Sequence, residues 1–64
     1  MKNNYYVVTT YMNDIVFYYC GYFMNNKPVI SIDFNKAALF IDNDTPYSIL
    51  ETLTDEFYVE EHGF

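Results

Sequence analysis

From Ile15 to Met24 the sequence reads IVFYYCGYFM, ten residues without a charge. Successive side chains of a strand point to opposite faces. Read that way, Ile15, Phe17, Tyr19, Gly21 and Phe23 lie on one side, and Val16, Tyr18, Cys20, Tyr22 and Met24 on the other. Both sides are apolar or aromatic. The preceding run repeats the pattern, with Tyr5, Val7, Thr9 and Tyr11 against Tyr6, Val8, Thr10 and Met12. An antiparallel sheet with one wet face alternates apolar and polar residues instead. These two strands therefore need partners on both faces, or they leave a tyrosine-rich face open to another molecule.

Turn chemistry divides the chain. Asn4–Tyr11 is expected as a first strand, rich in residues that suit a pleated surface, with Met12-Asn13-Asp14 as its turn. Asn25-Asn26 signals a second hairpin after the Ile15–Met24 strand, because Asn tolerates positive φ. Lys27-Pro28 leads into a short third strand, Val29–Ile32, where Pro is allowed at a strand start. Asp33 is a candidate cap for one or two helical turns within Asp33–Phe40. Thr45-Pro46 reads as a helix start, with Thr as N-cap and Pro at the first position. Ile49, Leu50 and Leu53 then share one face of a short helix, Pro46 to Thr54. Phe57–Glu61 alternates as a closing strand. The expected architecture is a single α+β domain over residues 1–64: a three-strand antiparallel meander plus a C-terminal strand, with one short helix packed on one face.

At 64 residues, a chain buries only about 60% of its unfolded surface and is marginal without a staple. Cys20 is the only cysteine, so no internal disulfide can form. One Cys and one His fall short of the roughly four ligands of a structural zinc site. No cofactor is implied. A lone thiol suits a reducing compartment, so the expected location is the cytoplasm. Tyr5–Met12 lacks the composition and following cleavage site of a signal peptide, and no segment approaches the ~20 apolar residues of a membrane span. Stability must come from the fourteen Phe and Tyr residues or from association, and a homodimer is expected.

Charge is segregated along the chain. Residues 1–32 hold Lys2, Lys27 and Asp14, a net +1, whereas residues 33–64 hold eight acids against Lys36, a net −7; together these make the overall −6. The eight acids are Asp33, Asp42, Asp44, Glu51, Asp55, Glu56, Glu60 and Glu61. Three lysines and no arginine cannot form the basic stripe that nucleic acid requires, and an anionic membrane is disfavoured for the same reason. The acids admit two readings. They imitate a phosphate backbone and enter a basic cleft of a partner, or they only keep a sticky domain soluble. The aromatic sheet is likewise either an interface or a set of solvated strand-forming tyrosines. As an interface, Tyr6, Tyr11, Tyr18 and Tyr22 would form a homodimer seam or anchor a partner.

Catalytic chemistry finds little support. His62 sits in Glu60-Glu61-His62-Gly63-Phe64, an expected frayed end and a poor place for a general base. Cys20, mid-strand among aromatics, reads as a small core residue. Asp42-Asn43-Asp44 opens like a calcium loop, but Tyr47 and Leu53 stand where that loop needs Gly and Glu. The expectation is no enzyme.

The stretch Ser31-Ile32-Asp33-Phe34-Asn35-Lys36-Ala37-Ala38-Leu39-Phe40, the Thr45-Pro46 helix start and the closing strand resemble small accessory proteins encoded by phages of low-GC bacteria. The abundance of Asn, Tyr, Ile and Phe, and the absence of Arg, Gln and Trp, match AT-rich codons. The resemblance implies a phage anti-defence protein that blocks a host nuclease or nucleic-acid-binding defence complex by occupancy. The alternatives are a small structural or assembly homo-oligomer, and a ligand-binding sponge with its pocket at a dimer seam.

Overall fold

A computed structural model describes residues 4–53 and 56–63. The chain is an α+β fold. Four strands, β1 (Asn4–Met12), β2 (Ile15–Met24), β3 (Lys27–Ser31) and β4 (Tyr58–Gly63), form one antiparallel sheet in the order β3-β2-β1-β4. A 3-10 turn at Phe34–Lys36 and a helix, α1 (Asp44–Leu50), lie between β3 and β4.

Both hairpins turn in two residues. Asn13 and Asp14 have φ of 53° and 66°, and Asn25 and Asn26 have φ of 51° and 63°. Two successive positive φ values mark the type I′ turn, whose twist matches that of the flanking strands. A two-residue turn leaves Met12 opposite Ile15 and Lys27 opposite Met24. Strand β1 therefore runs one residue past the expected Tyr11, and β3 begins at Lys27 rather than Val29. Pro28 is tolerated because β3 is an edge strand.

Register assigns the two faces. Tyr5, Val7, Thr9 and Tyr11 share the first face with Val16 and Tyr18 of β2 and with Tyr58, Glu60 and His62 of β4. Tyr6, Val8, Thr10 and Met12 share the second with Ile15, Phe17, Val59 and Glu61. Val7, Val8 and Thr9 are each 0% exposed and Thr10 is buried too. The central strand is thus covered on both sides, which is why it shows no polar alternation. Phe34 of the 3-10 turn covers the first face through edge contact with Tyr18 at 5.1 Å and tilted contact with Tyr5 at 6.3 Å. Helix α1 packs against β1 and β4, with Pro46 fully buried. Burying each valine fully contributes roughly 1.5–3 kcal/mol.

Strands β1 and β2 pair from Thr9↔Tyr18 to Met12↔Ile15. Beyond that, the segment after the 3-10 turn enters the sheet. Ala38 donates its N–H to the Tyr19 carbonyl at 2.9 Å, and Phe40 and Tyr6 exchange backbone hydrogen bonds of 2.7 and 2.9 Å. The expected one or two helical turns over Asp33–Phe40 therefore shrink to three residues. Ala37 is already extended, because the segment beyond it satisfies backbone groups of β1 and β2 that would otherwise lie unpaired.

Room for this segment comes from a bulge. Between the pairs Tyr19↔Ile30 and Phe23↔Pro28 the register shifts, so Cys20, Gly21 and Tyr22 stand against Val29 alone. Gly21 carries φ of +99°, and a Cβ there would sit 3.1 Å from the Ala38 Cβ. Only glycine suits both conditions.

The helix differs from expectation at both ends. It starts at Asp44 and stops at Leu50, so Leu53 lies beyond it and Thr54 falls outside the described residues. Thr45 is not the cap. The Asp42 carboxylate accepts both the Thr45 N–H and the Thr45 hydroxyl at 2.9 Å, a charged acceptor outcompeting a neutral one. The closing strand runs to Gly63 rather than ending at Glu61.

Gly21→Ala is expected to cost about 1–3 kcal/mol in urea unfolding, the range for a non-glycine residue held in a disfavoured backbone region. Gly63→Ala, whose Cβ would meet only the Asn4 side chain at 3.7 Å, is expected to change stability far less. Equal losses would contradict the bulge argument.

Candidate functional site

The first face carries a connected polar and aromatic band. At its centre is Glu60, half-buried in β4. One carboxylate oxygen accepts the Tyr11 hydroxyl at 2.8 Å and the Thr9 hydroxyl at 3.4 Å. The other lies 3.3 Å from His62 Nε2. Thr9 is fully buried, so the acid is anchored from below. Tyr11 stands two residues beyond Thr9 on the same face, so its ring leans back along the sheet to reach Glu60.

His62 belongs to this band. It pairs across β4 with Tyr5, stacks on the Tyr5 ring at 5.4 Å and 13°, and meets Phe34 at 5.7 Å. The expected frayed end is instead a paired strand. The sequence signal was present: Tyr58, Glu60 and His62 recur at the strand period of two. Tyr58, also absent from the sequence-based candidates, meets Tyr11 at 6.2 Å and 61°. Tyr11, Tyr58, Glu56 and Glu60 line an open depression of about 470 Å³. A larger open groove of about 1010 Å³ continues from Tyr11 and Glu56 toward Met12, Pro28, Ile30 and Phe57.

The eight candidate acids do not form one row. Asp33 caps the 3-10 turn, accepting the Asn35 N–H at 2.9 Å. Asp42 caps α1, and the Thr45 amide and hydroxyl hold its carboxyl below the usual carboxylate range. Asp44 sits exposed in the first turn of α1, and Glu51 exposed at its end. Asp55 lies outside the described residues. Glu56 is exposed, and its backbone carbonyl accepts the Thr10 hydroxyl at 2.8 Å. Glu60 faces the first side of the sheet. Glu61 faces the second and accepts the Asn4 side-chain amide. Helix α1, which carries Asp44 and ends at Glu51, packs against β4, which carries Glu60 and Glu61 on opposite faces. Lys27 begins the opposite edge strand, and Lys36 lines a depression with Ser31 and Val29 of that strand.

The four seam tyrosines are not brought together either. Tyr11 and Tyr18 lie on the first face and Tyr6 on the second. Tyr18 packs on Phe34, and Tyr6 is half-buried beside Phe40. Tyr11 and Tyr22 are exposed. Cys20 is half-buried in the bulge, its thiol 3.7 Å from the Tyr18 carbonyl. Among the described residues no three His, Cys, Asp or Glu side chains group as a metal site, and no helix is long and apolar enough to cross a membrane.

The chain matches no family model, no curated protein and no solved structure.

Glu60 determines how Tyr11 titrates. The hydrogen bond to the Glu60 carboxylate, and then its negative charge, raise the phenol above the ordinary tyrosine value. A raised folded-state value means this contribution to stability is complete below the unfolded tyrosine pKa near 10 and is lost as pH rises through the folded value. By NMR of the ring carbons, Tyr11 is expected to ionise above the ordinary tyrosine value near 10. Glu60→Gln should move Tyr11 downward. An unchanged Tyr11 titration in that variant would break the link.

Proposed function

We propose that this chain is a non-enzymatic protein-binding inhibitor that occupies a basic surface of a nucleic-acid-processing host protein. One observation carries the reading. Helix α1 and the neighbouring β4, the α1–β4 flank, carry Asp44, Glu51, Glu60 and Glu61, and beside β4 the exposed Tyr11 and Tyr58 line one depression with Glu56 and Glu60. Tyrosine supplies large contact area at low ordering cost. Carboxylates steer a positively charged partner and suppress wrong ones. The acids with purely local roles, Asp33 and Asp42, fall outside this set, so the flank is acidic beyond what capping requires. The resemblance to small phage accessory proteins makes a host defence nuclease or its nucleic-acid-binding complex, in the host cytoplasm, the expected target.

A second reading has its own observation. Met12, Ile15, Phe23 and Met24 are exposed near the two hairpin turns, an apolar surface suited to self-association into a small assembly or dimer. The two surfaces are separate, so both readings hold together if the dimer leaves the acidic flank free.

Salt separates them. A partner captured from the lysate of a low-GC bacterium through the flank should be lost between roughly 0.05 and 0.5 M salt, as screening shortens the reach of exposed charges. Charge reversal at the exposed Asp44 and Glu51 should weaken capture in the same direction. A partner held unchanged at high salt and by the reversed variant would contradict the flank as the binding surface.

A further inference from the structure

Tyr11 and Tyr58 form a two-walled corner where the acidic flank meets the first face. Their rings lie 6.2 Å apart at 61°, and they are 53% and 49% exposed. Glu60 closes the inner end. Its carboxylate is fixed in place by the Tyr11 and Thr9 hydroxyls, and Glu56 stands at the mouth of the opening.

The chemistry of this corner selects its occupant. Ring faces carry negative potential and attract a cation within about 6 Å of the centroid. An anion would meet two carboxylates. An apolar group would strip water from Glu60 without replacing it, which is costly. A carboxylate has about four lone-pair sites, and Tyr11, Thr9 and His62 do not exhaust them. A planar cation on a flexible stem meets all of these conditions, stacking on a ring while donating to the carboxylate. Building the corner from a strand pair, with its acid already oriented, lowers the ordering cost of binding.

We propose that the Tyr11–Tyr58–Glu60 notch receives an arginine side chain of the partner protein. The inference rests on the protein-binding reading above and names the residue type at its centre. Tyr11 and Tyr58 supply the walls, Glu60 the hydrogen-bonding anion, and Glu56 a second charge at the entrance. A phenol is protonated at neutral pH, so the Tyr11 hydroxyl remains a donor to Glu60 there.

The test uses the intact protein and two capped amino acids, N-acetyl-arginine methylamide and its neutral citrulline counterpart. Ring signals of Tyr11 and Tyr58 are followed by NMR, with Tyr22 and Tyr47 as exposed tyrosines outside the notch. Arginine should shift Tyr11 and Tyr58 saturably, with citrulline roughly five- to tenfold weaker, the scale of an exposed cation–π contact plus a charge-assisted hydrogen bond. Tyr58→Leu should abolish the difference while the amide spectrum stays folded. Should that variant lose the fold, Glu56→Gln at the exposed mouth should weaken arginine and leave citrulline unchanged. Equal response to the two probes, or equal shifts at Tyr22 and Tyr47, would overturn the proposal. The titration needs no partner. Its failure beside a salt-sensitive captured partner removes the notch and leaves the inhibitor reading standing. Its success with no captured partner supports the notch and counts against that reading.

Discussion

Burial of β1 on both faces is the constraint on which the rest of the structure depends. Val7 and Val8 point in opposite directions, and neither is exposed. Among the described residues, the four-stranded sheet has one helix and one 3-10 turn to cover two sides. The fold meets that demand by division of labour. Phe34 and the Tyr5, Tyr18 and His62 rings close the first face, while α1 packs against β1 and β4. With no disulfide, covering both faces of the middle strand lets a marginal chain gather enough buried apolar surface. The same division decides what stays outside. The ends of the hairpins remain apolar and exposed, and the α1–β4 flank remains acidic.

Local rules read off the sequence account for the elements closed by local interactions. Asn13-Asp14 and Asn25-Asn26 carry their turn type in their own φ preferences, so the meander was legible. Asp33 was legible as a cap because its acceptor reaches a donor two residues away. Asp42 was not, because Thr45-Pro46 offers a competing helix start, and the choice rests on a charged acceptor reaching over Asn43. The segment after Lys36 was illegible for a different reason. Its alanines favour a helix, but Tyr6 and Tyr19 offer backbone partners from two distant strands. Tertiary pairing overrides propensity there. Gly21 hinted at a bulge without revealing what it makes room for.

The candidate site shows the same split between near and far. Acidity along residues 33–64 was evident, but a run in sequence is not a row in space. Consecutive strand residues such as Glu60 and Glu61 point to opposite faces, and two of the acids serve as caps. The packing of α1 on β4 makes neighbours of two acid-bearing elements without lining their carboxylates up. His62 was discounted for its nearness to the C-terminus, although its strand period with Tyr58 and Glu60 placed it on a formed face. The seam tyrosines were chosen by type, and register distributes them over both sides of the sheet. Tyr11 and Glu56 join both surfaces: they line the acidic notch and the larger groove.

The claim that β1 organises both fold and surface is tested most directly by native-state amide hydrogen exchange. The account predicts that Val7, Val8 and Thr9 are the slowest amides and exchange only with global unfolding. The β3 amides, on an edge strand begun by Lys27-Pro28, should open earlier. Exchange at Val7 and Val8 as fast as in β3 would contradict the account, for the strand assigned to hold the two faces together would then be opening independently of them.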